Sequence, residues 1–513
     1  MARFLNLLPY VLSSKRYSKV VKLLAPILEK TDINLPTVEE FHVIANARPH
    51  NHQTFFSTLW CSHNECLPSD TRLGIANFFQ VYVIAILVTI ITQIPARFRK
   101  EKKFRQLIDS SLTTSSARFA LSVSSYFVIY KILFRFFTRV FDPLLGPRNN
   151  SDINDVACSP LVPPFLAGLF AGPSLLFDKD QPRRIFISTS ILCKSLQTIY
   201  YTLRQNGVIP IMPWWWGSWL IFPISSAQLI YTYLVHPDVF PDNYSKFITS
   251  RSTTYVQQRP SDLPESSPWP SGREIVDQIA IIASLNYPHF HSPKLHGIND
   301  PALPDTLKPI QPILEIAHPA HTKMLCAVLH PEDLSCLSTY SKFIAKEGIT
   351  ALKFMTFVHL ISLFYKSRDL VKRFNVASIQ ILSRAIPPIF KGATFITMAI
   401  ATAWALLCGF QKILPNKFMP VTRIYANGFI AGLWILVENP SRRLDIGLYS
   451  LRLSIESFWK LLVKNGKARN VRNGEVIYFS FAMACIMAIY KTQPNNITPL
   501  YMRETIKKLL NEP

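Results

Sequence analysis

A pattern of 25 residues occurs twice in this chain, 259 positions apart. Residues 183–207 and 442–466 align without a gap, and each copy begins with an Arg-Arg pair and ends with an Asn-Gly pair. Upstream, residues 164–170 match residues 428–434, with Gly168 and Gly432 at the same place in the two runs. Self-similarity over such a length is typical of a duplicated structural unit. The sequence therefore predicts two tandem copies of one fold.

The composition indicates that much of this fold lies in lipid. Of the 513 residues 49% are hydrophobic and only 17% are charged, which is too apolar for an ordinary soluble protein of this size. The net charge of +23 is carried by short loops and the N-terminal region, a distribution typical of membrane topology and of contact with anionic lipid. We expect the lipid bilayer as the main partner, with membrane proteins or a second copy as further partners, and no nucleic acid.

Apolar runs of spanning length occur in both halves of the chain. A helix needs about 20 residues to cross the hydrocarbon core of a bilayer. The candidate spans lie near 74–96, 119–137, 161–177, 185–205 and 212–235, and near 349–365, 390–410, 424–438, 444–463 and 475–490. Because Lys353 and His359 interrupt 349–365, we place that segment in the membrane interface. The sequence predicts an all-α polytopic membrane protein with two tandem repeats of four to five helices and about nine spans.

Four regions follow from these patterns. Residues 1–53 form a basic, amphipathic N-terminal region, for which a mitochondrial presequence, an interfacial helix and a docked terminal helix all stay open. Residues 54–235 and 321–513 are the two membrane repeat units. Residues 236–320 form a hydrophilic linker rich in proline and histidine, with one amphipathic helix in an extended connector or a small subdomain.

Two pairs of glycines are candidate helix-packing residues. Gly168 and Gly172 lie in the first copy, and Gly428 and Gly432 lie in the corresponding helix of the second. This small-xxx-small spacing lets two helix backbones approach closely in lipid. The simpler alternative is that the glycines only relieve proline-kinked helices. We predict close helix packing at these positions.

Two arginine pairs stand at a short turn between predicted spans. They are Arg183 with Arg184 and Arg442 with Arg443. The simplest role for such arginines is to fix topology and to bind lipid phosphate. The functional alternative is contact with an anionic substrate or a lipid head group inside the helix bundle. Both roles need a guanidinium that reaches a negative group.

Cysteine and histidine cluster before the first predicted helix of each copy. The residues are Cys61, His63 and Cys66 in the first copy, and Cys326, His330 and Cys336 in the second. These residue types bind zinc, but two cysteines and one histidine with unequal spacing do not match a closed tetrahedral site. A structural cap is favoured, and a disulfide or zinc stays open. Because Cys193, Cys408 and Cys485 fall in apolar runs, we interpret them as small packing residues. The sequence predicts no metal and no cofactor.

Motifs of known catalytic sites are absent from the sequence. It contains no P-loop, no GxSxG elbow, no dinucleotide fingerprint and no HExxH. We therefore expect a non-catalytic protein. The alternative is a transporter or translocation pore for an anionic or lipid-like substrate, which would need a continuous polar cavity through the bundle.

The motifs of the second copy resemble those of the transmembrane protein 135 family. The resemblance rests on Cys326, His330-Pro331 and Ser335-Cys336, on the Ala-Gly-Leu helix, and on the Arg-Arg turn with its continuation RRLDIGLYSLRLSIESFW. It covers most of residues 54–510 and is weaker in the first copy. It implies an intracellular multi-pass protein of peroxisomes or mitochondria, with the endoplasmic reticulum as alternative, linked to organelle dynamics and lipid homeostasis. A looser similarity to mitochondrial inner-membrane translocase channel proteins rests on their small-residue helix faces and concerns the fold alone.

Overall fold

The computed structural model describes residues 67–97, 114–141, 160–210, 213, 216–260, 268–296, 303–366, 377–498 and 500–512. Within these ranges the chain forms helices and no β-strand. One isolated antiparallel bridge joins His289 to Lys323. The prediction of an all-α fold is confirmed for this part of the chain.

The described ranges contain sixteen α-helices in the following order. They are α1 (Leu67–Arg97), α2 (Thr114–Phe141), α3 (Val162–Ala171), α4 (Gln181–Gln205), α5 (Ile221–Val235), α6 (Asp242–Ser250), α7 (Gly272–Ser284), α8 (Pro293–His296), α9 (Gln311–Ile316), α10 (Met324–Leu329), α11 (Cys336–Lys366), α12 (Ala377–Ile413), α13 (Arg423–Gly432), α14 (Pro440–Lys464), α15 (Gly474–Thr492) and α16 (Leu500–Leu510). Short 3₁₀ helices extend α3 over Gly172–Phe177 and α13 over Leu433–Val437.

The repeated sequence pattern coincides with repeated helix ends. Helices α4 and α14 both contain 25 residues, and α14 begins 259 positions after α4. Each ends at its Asn-Gly pair, where Gly207 and Gly466 have φ of +73° and +68°. The amide of the next residue donates to the carbonyl five positions earlier, at 3.0 Å for Val208 and 2.9 Å for Lys467. This is the hydrogen bond of a glycine-terminated helix, and it explains why both copies keep glycine here.

Four helical segments are long and apolar enough to cross a membrane. They are Thr114–Thr138, Ser218–Val235, Ile386–Ile413 and Gly474–Thr492. Shorter apolar segments occur at Val162–Phe177 and Arg423–Val437. The described residues thus support a membrane protein with four candidate spans, and the predicted number of nine stays a prediction.

The helices divide into two compact units, and each unit draws on both halves of the chain. The first contains residues 1–211 and 471–513, and the second contains residues 212–470. In the first unit α15 packs against α3 and α4, and in the second α5 packs against α13 and α14. The unit boundaries predicted from the sequence, at residues 235 and 321, assign α5 to the first repeat and α15 to the second. In the structure, the helix that follows each Asn-Gly turn lies instead with the helices of the other half.

Most of the linker region folds as part of the second unit. Helix α7 begins with a capping box between Ser271 and Glu274, and its buried face presents Ile275, Ile279 and Ile282 at helical spacing. These side chains share one apolar core with residues of α9, α10 and the candidate spans α5 and α12. The described parts of 236–320 therefore form a small helical subdomain, which is one of the two alternatives that the sequence left open.

Candidate functional site

The glycine pair of α3 lies where this helix crosses α15. A β-carbon at Gly168 would come within 2.8 Å of the Ala484 Cα, and one at Gly172 within 2.6 Å of the Ser480 Cα. A β-carbon that close to a backbone atom would overlap it, so neither position has space for a side chain. The structure therefore places both glycines at a close helix seam.

The glycine pair of α13 lies at a matching seam with α5. A β-carbon at Gly428 would come within 2.7 Å of the Ala227 Cα, and one at Gly432 within 2.6 Å of the Pro223 Cα. The contacting atoms are again backbone atoms, which cannot move without a shift of the whole helix. In each unit the paired glycines thus form the surface that receives α5 or α15.

The first arginine pair has its partners inside its own unit. The buried carboxylate of Asp178 forms an ion pair with Arg183, whose Nε lies 2.5 Å from Oδ2. Arg184 is 9% exposed and donates to the Asp178 carbonyl at 2.9 Å. It also donates to Glu475 on α15, with Nη2 2.7 Å from Oε1, and to the Asn473 side chain at 3.2 Å. Arg184 therefore joins the turn before α4 to the N-terminus of α15.

The second arginine pair repeats the local part of this arrangement. Glu438 is 1% exposed and accepts from Arg442 Nη1 at 3.4 Å. Arg443 donates to the carbonyls of Glu438 at 2.9 Å and Leu436 at 2.6 Å. A lipid head group or anionic substrate would have to compete with these internal acceptors. Sequence reasoning missed the two acidic residues, although each stands four or five positions before its arginine pair.

The second unit encloses an apolar cavity of about 250 Å³ at the candidate spans α5 and α12. Helices α6, α13 and α14 complete its walls. The lining residues include Phe222, Ile230, Phe247, Phe395, Ala399, Ala403, Trp404, Leu407, Ala431, Tyr449 and Leu453. Such a surface offers dispersion contacts to a hydrocarbon chain and few groups that could solvate an ion.

A second apolar cavity, of about 240 Å³, lies within the first unit. Its walls come from α2, α4, α15, α16 and the 3₁₀ turn after α3, and they include Val123, Tyr126, Phe127, Leu175, Ile187, Ile191, Phe479, Met483 and Ile506. The polar groups at its edge are hydroxyls, including those of Ser122, Ser174 and Thr505. Both units therefore contain an apolar space of similar size.

Four ligating side chains meet in the second unit. Cys326, His330 and Cys336 are joined by Cys408, and the four ligand atoms lie within 4.8 Å of one another. The Cys336 sulfur lies 3.9 Å from the Cys326 sulfur and 3.3 Å from His330 Nε2. The Cys408 sulfur lies 3.7 Å from the same nitrogen. The sequence places only three of these four residues close together, and Cys408, interpreted from its apolar run as a packing residue, is the fourth.

Three structural elements position this cluster. Cys326 lies in α10, His330 follows the end of that helix, Cys336 begins α11, and Cys408 lies in the part of α12 that is a candidate span. Three of the four side chains are buried, and Cys336 is half-buried. The predicted cysteines of the first copy, Cys61 and Cys66, lie outside the described residues.

The local electrostatics favour charged forms of the cluster. Burial disfavours the protonated form of His330, but its hydrogen bonds with Cys326, Cys336 and the Asp333 carbonyl outweigh burial and raise the pKa of His330 to about 10. Hydrogen bonds with Cys326 and Cys408, and a smaller contribution from His330, lower the pKa of Cys336. The thiolate is the form of cysteine that binds metals and acts as a nucleophile.

Comparisons with known proteins do not assign a family. No protein-family model matches the chain, and no solved structure matches it. The resemblance to the transmembrane protein 135 family therefore rests on the sequence motifs alone. Function is therefore inferred from the geometry of the cavities, the arginine turns and the cysteine cluster.

Proposed function

We propose that this chain is a non-catalytic integral membrane protein of peroxisomes or mitochondria that binds lipid acyl chains and acts in lipid homeostasis or organelle dynamics. The observation that carries the proposal is the apolar cavity of the second unit. Its walls include two candidate membrane spans, α5 and α12, so a lipid could enter it from the bilayer. The organelle and the cellular process come from the family resemblance.

The walls of this cavity select hydrocarbon over polar ligands. The Tyr233 hydroxyl lies 2.9 Å from the Thr249 hydroxyl, and the Trp404 indole donates to Ser252 at 2.8 Å. These polar groups are therefore satisfied within the protein. Apolar cavities of about 150 Å³ already bind benzene, so one of about 250 Å³ has room for part of an acyl chain but not for a head group as well.

A larger side chain that fills the cavity tests whether the cavity binds an acyl chain. Ala403 lines the cavity, whereas Ala405, two positions further on the same helix, does not. The purified full-length protein would be irradiated with a fatty acid that carries a diazirine in its chain, and the labelled peptides would be identified by mass spectrometry. We expect labelling of cavity residues, a loss of at least several-fold in Ala403→Phe, and wild-type labelling in Ala405→Phe.

Two outcomes would overturn acyl-chain binding in the second unit. One is equal labelling of the wild type and Ala403→Phe. The other is labelling confined to the cavity of the first unit around Tyr126 and Met483, which would assign the ligand to that unit instead. Thermal unfolding of both variants, measured beforehand, identifies a variant that has simply failed to fold.

The transporter alternative receives less support from the described residues. An anionic substrate needs a polar path, but the two cavities that touch candidate spans are lined mainly by apolar side chains. A larger space of about 590 Å³ beside α6 and α7 is polar and includes Lys246, Arg259 and Arg273, but its lining residues lie outside the four candidate spans. Flux of an anion through liposomes that contain the purified protein would reverse this preference. Imaging of the tagged protein against markers of peroxisomes, mitochondria and the endoplasmic reticulum tests the proposed location.

We propose further that the chain is a tandem duplication with about nine spans. Helices α4 and α14 have the same length and both end at an Asn-Gly pair, which supports the duplication. The four candidate spans support part of the predicted number of nine. With nine spans, residues 97–118, the linker and the C-terminus share one compartment. Accessibility of single introduced cysteines to an impermeant maleimide measures this, and a linker and C-terminus on opposite sides would favour ten spans.

A further inference from the structure

The geometry points to a zinc site, and we propose that Cys326, His330, Cys336 and Cys408 bind one zinc ion in a closed, tetrahedral Cys₃His arrangement. The site lies wholly within the second unit. It is independent of the acyl-chain proposal, since none of the four ligands lines the apolar cavity, although Cys408 directly follows the cavity residue Leu407 on α12.

Three of the six distances between ligand atoms are close to those of a tetrahedral zinc centre, and none of the six exceeds 4.8 Å. Zinc bonds of about 2.3 Å to sulfur and about 2.0–2.1 Å to nitrogen place the ligand atoms roughly 3.5–3.8 Å apart. The observed separations are 3.9 Å between the sulfurs of Cys326 and Cys336, and 3.3 Å and 3.7 Å from His330 Nε2 to the sulfurs of Cys336 and Cys408. A small shift of side chains is enough to admit the ion at the centre.

The donor set favours zinc over the common ions that require oxygen ligands. Three thiolates and one imidazole are soft or borderline ligands, whereas calcium and magnesium require oxygen ligands. Four protein ligands fill a tetrahedral coordination sphere, so no position is left for a catalytic water. The site is therefore structural.

A second layer of contacts orients the histidine. Its Nδ1 lies 2.6 Å from the Asp333 carbonyl, so the ring donates there and turns Nε2 toward the sulfurs. Zinc would displace the proton that Nε2 shares with the sulfurs in the metal-free cluster. The Asp333 carboxylate is held in turn by Lys342 at 2.7 Å. Lys412, one helical turn after Cys408 on α12, places a positive charge near the Cys336 sulfur, where three thiolates would leave a divalent ion with a net negative charge.

The position of the site indicates what the ion does. Cys326 lies in α10 and His330 follows it, and α10 packs against helices α7 and α9 of the helical subdomain, whereas Cys408 lies in the candidate span Ile386–Ile413. A bound zinc ion would cross-link the two across a separation of more than seventy residues in the chain. It would fix the subdomain to its membrane helix.

Metal analysis of the purified full-length protein tests the proposal. After dialysis against a weak chelator, we expect about one equivalent of zinc per chain by inductively coupled plasma mass spectrometry. Cys408→Ser and His330→Ala should lose most of it. Cys485→Ser removes a free cysteine of the first unit and should keep the wild-type content. A wild-type zinc content no higher than that of Cys408→Ser would overturn the site.

Two further measurements keep the test decisive if a variant fails to fold. The wild-type protein loaded with cobalt should show the visible absorption of a tetrahedral thiolate complex, and its absence contradicts the proposed geometry. Alkylation under denaturing, non-reducing conditions counts the free thiols. A Cys326–Cys336 disulfide in place of two free thiols would assign these residues to a redox pair and exclude the zinc site. His330→Cys should retain zinc, since four thiolates also satisfy a tetrahedral ion.

Discussion

Both units hold a helix from the other half of the chain at a glycine seam, but in the described residues only the first unit adds a buried ion pair to that helix. In both, a glycine pair on a short helix receives α15 or α5 at a seam where backbones touch, and an acidic residue before the arginine pair holds the first arginine. They differ at the second arginine. Arg184 is buried and reaches Glu475 on α15, whereas Arg443 binds carbonyls of its own turn and no residue of α5.

This difference indicates how each unit holds the helix that comes from the other half of the chain. In the first unit a buried ion pair and a glycine seam act together on α15. In the second the seam acts on α5 without that ion pair, and Gly447 adds a further close approach to Ile221. The arginine turn is therefore a connector in the first unit and a local cap in the second.

The largest expected effect comes from breaking the ion pair of the first unit. Arg184→Gln leaves the Glu475 carboxylate buried without its cation, and removal of one partner of a buried pair typically costs about 3–5 kcal/mol. Thermal unfolding of the detergent-purified protein should show a clear loss of stability. Addition of Glu475→Gln should restore part of it, and a double variant as unstable as the single one would contradict the pairing.

A smaller loss is expected from overpacking the seams. Gly432→Leu and Gly168→Leu place a side chain against the backbone of α5 or α15, and overpacking typically costs about 1–3 kcal/mol. Steady-state abundance and correct localisation of both variants should fall. Gly409→Leu is the matched control, because a β-carbon there meets nothing within 4 Å. Normal accumulation of both seam variants would show that the glycines are not needed for packing.

The smallest effect is expected at the second arginine turn. Arg443→Gln removes hydrogen bonds to two carbonyls at a half-buried position, where water can replace the lost donor, so we expect a net cost of about 1 kcal/mol. Its abundance should exceed that of both Gly432→Leu and Arg184→Gln. If Arg443→Gln is stable but inactive while Gly432→Leu accumulates normally, Arg443 belongs to a working site and transport of an anionic substrate becomes the better proposal.

Helix type and helix ends could be predicted wherever the signal was local. The Asn-Gly pairs mark the ends of α4 and α14 because the residue after the last turn adopts positive φ, a conformation that glycine adopts at no steric cost. The apolar runs near 119–137, 390–410 and 475–490 coincide with candidate spans because length and hydropathy are properties of the segment itself.

The candidate metal site could be predicted only in part. Cys326, His330 and Cys336 stand within eleven positions of one another and were singled out from the sequence. The fourth ligand was missed because Cys408 lies in an apolar run, where a cysteine has the same local surroundings as a packing residue. Only a regular spacing from the other three ligands could have marked Cys408 as a ligand in the sequence. Cys408 lies more than seventy residues from them, so no such spacing exists.

The sequence by itself determined the helical fold, the apolar segments and the duplicated pattern, because periodicity, hydropathy and turn residues act within a few positions. Only the tertiary structure decided which helix fills each glycine seam. Both α5 and α15 are apolar helices with small residues at the contact, so composition does not distinguish them. The choice depends on contacts between distant segments, such as Arg184 with Glu475 and Gly432 with Pro223, which no local pattern encodes.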